Sequence, residues 1–143
     1  MKNGLALKDG FDAMDFRKVT EMLAEVHWCP GTKIEEVTKG AENSALLVGA
    51  FLPDGTQVGY ARAISDKTRF AYILDVVVDK NYRKQGIGQA MMKYLMAHES
   101  MSDVYQWLLI TKDAHGLYRK LGFDVITRPL DWMEIKHPRP AGR

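Results

Sequence analysis

The sequence predicts a mixed α/β fold, in which helices cover both faces of a sheet of antiparallel and parallel strands. Two strand-like segments, 45–52 and 57–64, flank a Pro-Asp-Gly turn and are typical of an antiparallel hairpin. The run 73–78 is almost wholly apolar and β-branched, as in a strand covered on both faces. A glycine-led helical pattern at 86–95 then separates this strand from another strand of the buried type at 104–110.

A chain of 143 residues has room for one domain with a real core, so we expect a single domain over 1–143. The formal net charge of +2 lacks the basic excess that nucleic-acid binders carry. A single cysteine, Cys29, cannot form an internal disulfide and has no metal-spaced partner. No apolar run reaches the ~18 residues of a membrane span. We therefore expect a cytoplasmic protein with no nucleic-acid, membrane or metal partner and a frayed tail at 137–143.

The N-terminal elements are a short strand at 5–7 and two helices. Asp15 is a candidate N-cap, and the apolar residues after it recur at helical spacing, which predicts a first helix to about His27. A Pro-Gly pair ends that helix. A second, more polar helix is predicted across 34–42, and the hairpin follows it.

The C-terminal half alternates strands with helices. A strand at 70–79 leads into the helix opened by two glycines, and the strand at 104–110 leads into a short helix at 114–121. Gly122 is a suitable left-handed residue to end this short helix. The last segment, 125–135, is interrupted by an Arg-Pro pair and is predicted to form an antiparallel pair of strands.

The turn before the glycine-led helix carries the strongest chemical signal. Lys80, Arg83 and Lys84 come directly before Gly86 and Gly88 at the helix start. A helix N-terminus leaves about four backbone N–H groups unpaired, and glycines let a phosphate approach the backbone closely. The same pattern is typical of a glycine-tightened turn with a solvated basic face, and it fits neither the dinucleotide fingerprint nor the P-loop. The residues alone leave both interpretations open.

The same turn resembles the signature of a known family. Arg83, Gly86 and Gly88 match the Q/R-x-x-G-x-G/A signature of the GNAT superfamily of N-acetyltransferases. Strand, signature and helix come in that family's order, and the two helices before the hairpin agree with its fold. The resemblance is strongest over 70–123 and weaker over the N-terminal part.

A second landmark of that family follows the first. Ala114, Leu117, Tyr118, Gly122 and Phe123 are similar to its A-x-x-L-Y-x-x-x-G-F helix. Two landmarks in the correct order make the resemblance specific. It implies the GNAT fold, whose central, mostly antiparallel sheet splays apart at two parallel strands.

The resemblance implies an acyltransferase that moves an acetyl group from acetyl-CoA to a primary amine by direct attack in a ternary complex. A small-molecule amine and a protein amine both remain open as acceptors. We favour a small molecule, because Gln106 stands near the position where ribosomal-protein acetyltransferases of this superfamily carry a Glu base. The alternative is a non-catalytic acyl-CoA-binding or regulatory module with the same fold. Many members are dimers, so a homodimer also remains open.

The resemblance also implies how acetyl-CoA is held. The strand at 70–79 offers main-chain groups to the pantetheine arm, and the following turn wraps the pyrophosphate. Thr111 stands where many relatives have an Asn that binds the pantetheine, and it still offers a hydroxyl. The implied cofactor-binding residues are Val76, Val77, Val78, Arg83, Lys84, Gln85, Gly86, Ile87, Gly88, Gln89 and Thr111.

The catalytic candidates follow from the chemistry of amine acetylation. An amine with a pKa of ~10.4 is only about 0.04% deprotonated at pH 7, so a general base is useful. Asp75 lies in an apolar strand, where a carboxylate is costly to bury, and it is a candidate base, amine anchor or hydrogen-bonded structural residue. By resemblance Tyr118 is the general acid, although it could instead be an aromatic packed on the sheet. His27 and Trp28 lie where this family shapes its acceptor pocket, and Trp28 could equally fill the core.

Overall fold

A computed structural model describes residues 4–26 and 29–143. Within these residues the centre of the fold is a five-stranded sheet in the order β1-β2-β3-β4-β5. None of the described helices is both long and apolar enough to cross a membrane. The strands are β1 (Ala6–Asp9), β2 (Leu46–Phe51), β3 (Gln57–Ser65), β4 (Phe70–Val78) and β5 (Gln106–Leu108), and the α-helices are α1 (Phe16–Ala24), α2 (Ile34–Glu42), α3 (Ile87–Ala97) and α4 (His115–Arg119).

The sheet is mixed, as predicted. β1, β2, β3 and β4 pair antiparallel in sequence, and β5 joins β4 in parallel. Helices cover two faces, with Met91 and Leu95 of α3 in one core cluster and Leu23 of α1 in the other. Neighbours Val48 and Leu47 of β2 belong to opposite clusters, as the alternation of a strand requires.

The N-terminal helices form where the sequence predicts them. Asp15 caps α1, because its side chain accepts a hydrogen bond from the Lys18 amide at 3.2 Å. The helix ends at Ala24, earlier than expected, and the predicted end at His27 lies outside the described residues. The bounds of α2 agree with the predicted 34–42.

The predicted strand pair at 125–135 is wrong. This segment holds only a 3-10 turn, Pro129–Asp131, which the Arg128–Asp131 ion pair closes. Pro129 has no backbone N–H to donate to a partner strand, and the side chain of Leu130 is 96% exposed. Sheet pairing therefore ends at β5.

The C-terminal residues contact the N-terminal half. Residues 137–143 form no helix or strand, and their side chains are exposed. Even so, Arg139 and Arg143 both form ion pairs with Glu36 of α2, at 2.5 and 2.7 Å. The tail predicted to fray thus has two specific contacts in this structure.

Candidate active site

A cleft opens where β4 and β5 separate. The two strands pair in parallel only from Phe70↔Gln106 to Tyr72↔Leu108, while β4 continues to Val78. From residue 73 onward that edge of β4 has no partner strand in the described sheet, so its backbone groups are available to a ligand. A cavity of about 1010 Å³ fills the gap. The splay implied by the resemblance is therefore present.

The cleft corrects the interpretation of 73–78 as a strand covered on both faces. Ile73 and Val77 are buried, whereas Leu74, Val76 and Val78 are only half-buried. All but Val77 line the cavity. The apolar run is thus partly core and partly cleft wall.

One end of the cleft is the N-terminus of α3. Gly86 is its N-cap, with φ of 81°, a left-handed conformation that glycine adopts without strain. The first intrahelical bond runs from the Ala90 amide to the Gly86 carbonyl oxygen at 3.0 Å, which leaves the preceding amides of the helix for a ligand. A Cβ atom at Gly86 or Gly88 would meet no atom within 4 Å, so the space above this turn is open.

Two side chains tie the preceding turn to the rest of the fold. Arg83 Nε donates to the carbonyl oxygen of Val78 at 3.1 Å, which joins the turn to the end of β4. Asp79 accepts a hydrogen bond from the Asn81 amide and forms a 2.6 Å ion pair with Lys18 of α1. The Lys18 hydrogen bond is the main reason that the pKa of Asp79 lies below its ordinary value. The turn is therefore preformed.

Tyr118 forms part of the opposite wall. Its ring packs edge-on against Phe123, and burial raises the pKa of its hydroxyl. The Phe123 amide donates to the Tyr118 carbonyl oxygen at 3.1 Å, and Gly122, with φ of 99°, closes the helix as predicted. The Thr111 hydroxyl oxygen accepts from the Ala114 amide at 3.0 Å, which supports the start of α4.

Asp75 lies at a β-bulge in the cleft wall. Pairing passes from Arg62↔Leu74 to Tyr60↔Val77, so β4 has one residue more than β3 between these pairs. Asp75 takes φ of 56°, and its Oδ2 accepts a 2.7 Å hydrogen bond from Arg62 Nε. The carboxylate is therefore half of an ion pair, and this contact is compatible with each of its three candidate roles.

Most of the sequence-predicted site residues meet in this cleft. Val77 is buried beside Tyr60, so its side chain lies in the core, and Gln85 is exposed away from the cavity wall. His27 and Trp28 lie outside the described residues. The predicted residues on the wall are Asp75, Val76, Val78, Arg83, Lys84, Gly86, Ile87, Gly88, Gln89, Thr111 and Tyr118.

Sequence reasoning missed several wall residues. Tyr72 lies two residues before Leu74 on the same face of β4, so the strand alternation could have indicated it. Lys136 also lines the cavity, and it comes from a C-terminal segment that carries no local signal. Arg62 lies outside the wall but pairs with Asp75, and it could have been found only from the register of β3 against β4.

The segment that forms most of this cleft matches the sequence model of one protein family. Residues 43–125 match the family model described as Acetyltransferase (GNAT) domain. A solved structure from Xanthomonas campestris pv. campestris, assigned to the GNAT family, is 32% identical, with 94% of each chain covered and a TM-score of 0.87. A Clostridium acetobutylicum protein solved with acetyl-CoA has a TM-score of 0.69 at 16% identity, covering 92% of this chain and 96% of that one, and it shows the fold alone.

Curated relatives share shorter or weaker similarity. A chloroplastic serotonin N-acetyltransferase from Oryza sativa subsp. japonica is 29% identical over 124 residues, which are 84% of this chain and 62% of the relative. A histone acetyltransferase from Glycine max is 37% identical over 68 residues, which are 47% of this chain and 29% of the relative. The chain thus spans less than two thirds of the length of these curated relatives.

Proposed function

The chain belongs to the GNAT family of acetyltransferases, and on that premise we propose that it transfers the acetyl group of acetyl-CoA to a primary amine. The observation that carries this proposal is the cleft where β4 leaves β5, with the open N-terminus of α3 at one end and Tyr118 on the opposite wall. A long, thin, anionic ligand fits such a cleft better than a compact one does.

The residues at the α3 end suit the pyrophosphate of CoA. Amides at a helix N-terminus attract anions, and Lys84 adds a positive charge on the cavity wall. Gly86 and Gly88 leave the space that a phosphate needs. Along β4, the backbones of Val76 and Val78 would bind the amides of the pantetheine arm.

Acetyl-CoA supplies a reactive thioester, and the protein has to orient the amine and provide the groups that donate and accept protons. A neutral amine attacks the acetyl carbon, so that a C–N bond forms and the C–S bond breaks. The Tyr118 hydroxyl is protonated at neutral pH, because the ordinary pKa of tyrosine is near 10 and burial raises it further, so this hydroxyl can protonate the departing sulfur. A backbone N–H on the open edge of β4 can bind the oxyanion. The remaining amine proton leaves to Asp75 or to water. No covalent enzyme intermediate is needed.

We propose a small-molecule amine rather than a protein amine as the acceptor. Gln106 of β5 cannot take a proton, which removes one base used on peptide substrates. The similarity to a serotonin N-acetyltransferase extends over 84% of the chain, whereas the similarity to a histone acetyltransferase extends over 47%. Both similarities favour an amine acceptor, and the longer one favours a small molecule.

The test is CoA release from acetyl-CoA with serotonin, phenethylamine, spermidine and a lysine-containing peptide. We expect turnover with a small amine, and Tyr118→Phe should lower kcat by about 100-fold without weakening acetyl-CoA binding. Tyr105→Phe is the matched control, because this exposed tyrosine lies outside the cleft and should leave kcat unchanged.

Two outcomes would overturn parts of the proposal. Tight acetyl-CoA binding, measured by calorimetry, with no turnover on any amine would identify a non-catalytic acyl-CoA-binding module instead. Equal kcat values for the wild type and Tyr118→Phe would remove Tyr118 as the general acid.

A further inference from the structure

Asp75 lines the cleft, and its ion-pair partner Arg62 is a β3 residue that does not line the cavity. The two side chains are 16% and 17% exposed, and Arg62 Nε lies 2.7 Å from Asp75 Oδ2. Burying two charged side chains costs desolvation free energy, and well-packed apolar side chains in their place often stabilise the fold as well or better. Fold stability alone therefore does not account for this pair.

Arg62 is held in place by the C-terminal part of α2. Its Nη1 donates to the Gly40 carbonyl oxygen at 3.4 Å and to the Ser44 hydroxyl at 3.3 Å. A Cβ atom at Gly40 would lie 3.3 Å from Arg62 Cζ, so the guanidinium group packs directly against the helix backbone. The negative end of the helix dipole also favours a cation here. Arg62 is thus fixed by the helix and not by Asp75 alone.

Asp75 is fixed only at one oxygen. The bulge and its positive φ set the backbone, and Arg62 holds Oδ2. For Oδ1, the described part of the chain provides no hydrogen bond, although a carboxylate oxygen can accept two. Since Asp75 also lines the cavity, this oxygen can accept an N–H from a bound molecule.

A second polar group beside the pair also lacks a partner. The Tyr60 hydroxyl is buried, two residues from Arg62 on β3, and has no hydrogen-bond partner among the residues described. Burial is the main cause of the raised pKa of this hydroxyl. Unmet buried polar groups are rare in folded proteins. Tyr60 does not line the cavity, so the unpaired atom that a ligand can reach is Asp75 Oδ1.

We propose that Arg62 is a positioning residue for the acceptor, which fixes Asp75 so that its Oδ1 accepts a hydrogen bond from the acceptor amine. The inference rests on the proposed function and assigns Asp75 the role of amine anchor. Arg62 acts through Asp75 and does not itself contact the amine. The anchored nitrogen then lies beside Val76, on the open edge of β4.

The experiment compares Arg62→Gln, Arg62→Lys, Asp75→Asn and the Arg62→Gln/Asp75→Asn double variant. We expect Arg62→Gln to raise the KM for phenethylamine about tenfold, the effect of losing roughly one hydrogen bond to a charged group. The Kd for acetyl-CoA should not change. Arg62→Lys should restore part of the loss, and the double variant should be no worse than Asp75→Asn alone, because the two residues act as one unit.

Arg143→Gln is the matched control. It breaks the Arg143–Glu36 ion pair, which has the same length of 2.7 Å and also involves α2, but lies outside the cavity wall. We expect this variant to keep the wild-type KM for phenethylamine. A KM raised as much as in Arg62→Gln would mean that breaking any such ion pair disturbs the cleft, which would overturn the proposal.

Calorimetric binding of phenethylamine to the protein saturated with CoA separates this inference from the proposed function. Binding that Arg62→Gln abolishes, with no turnover by the wild type, would support the amine site and overturn the enzymatic function. Turnover with a KM that Arg62→Gln does not change would support the enzymatic function and overturn the amine site. The positioning role would also be overturned if the fold-changes of Arg62→Gln and Asp75→Asn multiply in the double variant. The same holds if Arg62→Gln lowers the affinities for the amine and for acetyl-CoA equally. A wild type that neither binds nor acetylates the amine would overturn both proposals.

Discussion

The side chain of Arg83 is bonded to the end of the strand that precedes it, because its Nε donates to the Val78 carbonyl oxygen at 3.1 Å. With Asp79 bound to Lys18 on the other side, the turn that leads to Gly86 is fixed at two points. A site that is ordered before its ligand arrives loses less conformational entropy on binding. We therefore expect the acetyl-CoA site to exist in the free protein.

Gly86→Glu tests the anion site at the start of α3. The substitution places a negative charge where the pyrophosphate would bind, and like charges brought together cost several kcal/mol. We expect the Kd for acetyl-CoA, measured by calorimetry, to rise by at least about 100-fold. Gly55→Glu is the matched control, because Gly55 also has a positive φ of 93° and no atom within 4 Å of its Cβ position, but lies in the hairpin turn. Equal losses of affinity in both variants would attribute the effect to backbone strain and reject the anion site.

Tyr60→Phe tests whether the buried hydroxyl is unsatisfied. The substitution removes a polar group that has no partner among the described residues, so the free energy of unfolding should stay constant or rise by about 1 kcal/mol. Tyr94→Phe is the comparison, since the Tyr94 hydroxyl donates to Asp9 Oδ2, and its loss should lower the free energy of unfolding by about 1 kcal/mol. Urea unfolding measures both variants. A loss in Tyr60→Phe equal to that in Tyr94→Phe would show that the Tyr60 hydroxyl has a partner.

The Lys18–Asp79 pair predicts a defined pH dependence of stability. The hydrogen bond from Lys18 lowers the pKa of Asp79 below its ordinary 3.8, so the folded state favours the ionised carboxylate. This stabilisation is present above the unfolded pKa and is lost as the pH falls through the folded value. We expect the wild type to be more stable than Asp79→Asn at pH 7, and the difference to shrink as the pH falls below 3.8 and to vanish once the pH is below the folded pKa. Asparagine can still accept the hydrogen bond from the Asn81 amide, so the comparison isolates the charge. A difference that persists at low pH would contradict the assignment.

The parts of the site that the sequence predicts are those set by local rules. Gly86 is recognisable because it starts a helix in a left-handed conformation, which favours glycine. Gly122 is recognisable because a left-handed residue that ends a helix is also most often glycine. Both depend on a few neighbouring residues. The turn and α4 could therefore be placed in the cleft from their motifs, although α4 proved shorter than predicted.

The parts that sequence reasoning missed depend on contacts between distant segments. The Arg62–Asp75 pair joins residues 13 positions apart, and it requires both the β3–β4 register and the bulge that shifts it. The strand pair predicted at 125–135 failed because Pro129 interrupts the segment and has no backbone N–H to donate to a partner strand. Lys136 reaches the cavity only because of the path that this irregular segment takes.

Glu36 holds the C-terminal segment against α2, and Glu36→Gln tests this contact. Its two carboxylate oxygens accept hydrogen bonds from Arg139 and Arg143, and the Thr32 hydroxyl donates to one of them. Removing the charge weakens both ion pairs, so the NMR backbone order parameters of 137–143 should fall. Exposed ion pairs are screened by salt, so 1 M NaCl should lower these order parameters in the wild type as well. Glu35→Gln, one residue earlier on the same helix, should leave them unchanged. Equal order parameters in Glu36→Gln and the wild type would mean that the two ion pairs do not hold the segment in solution.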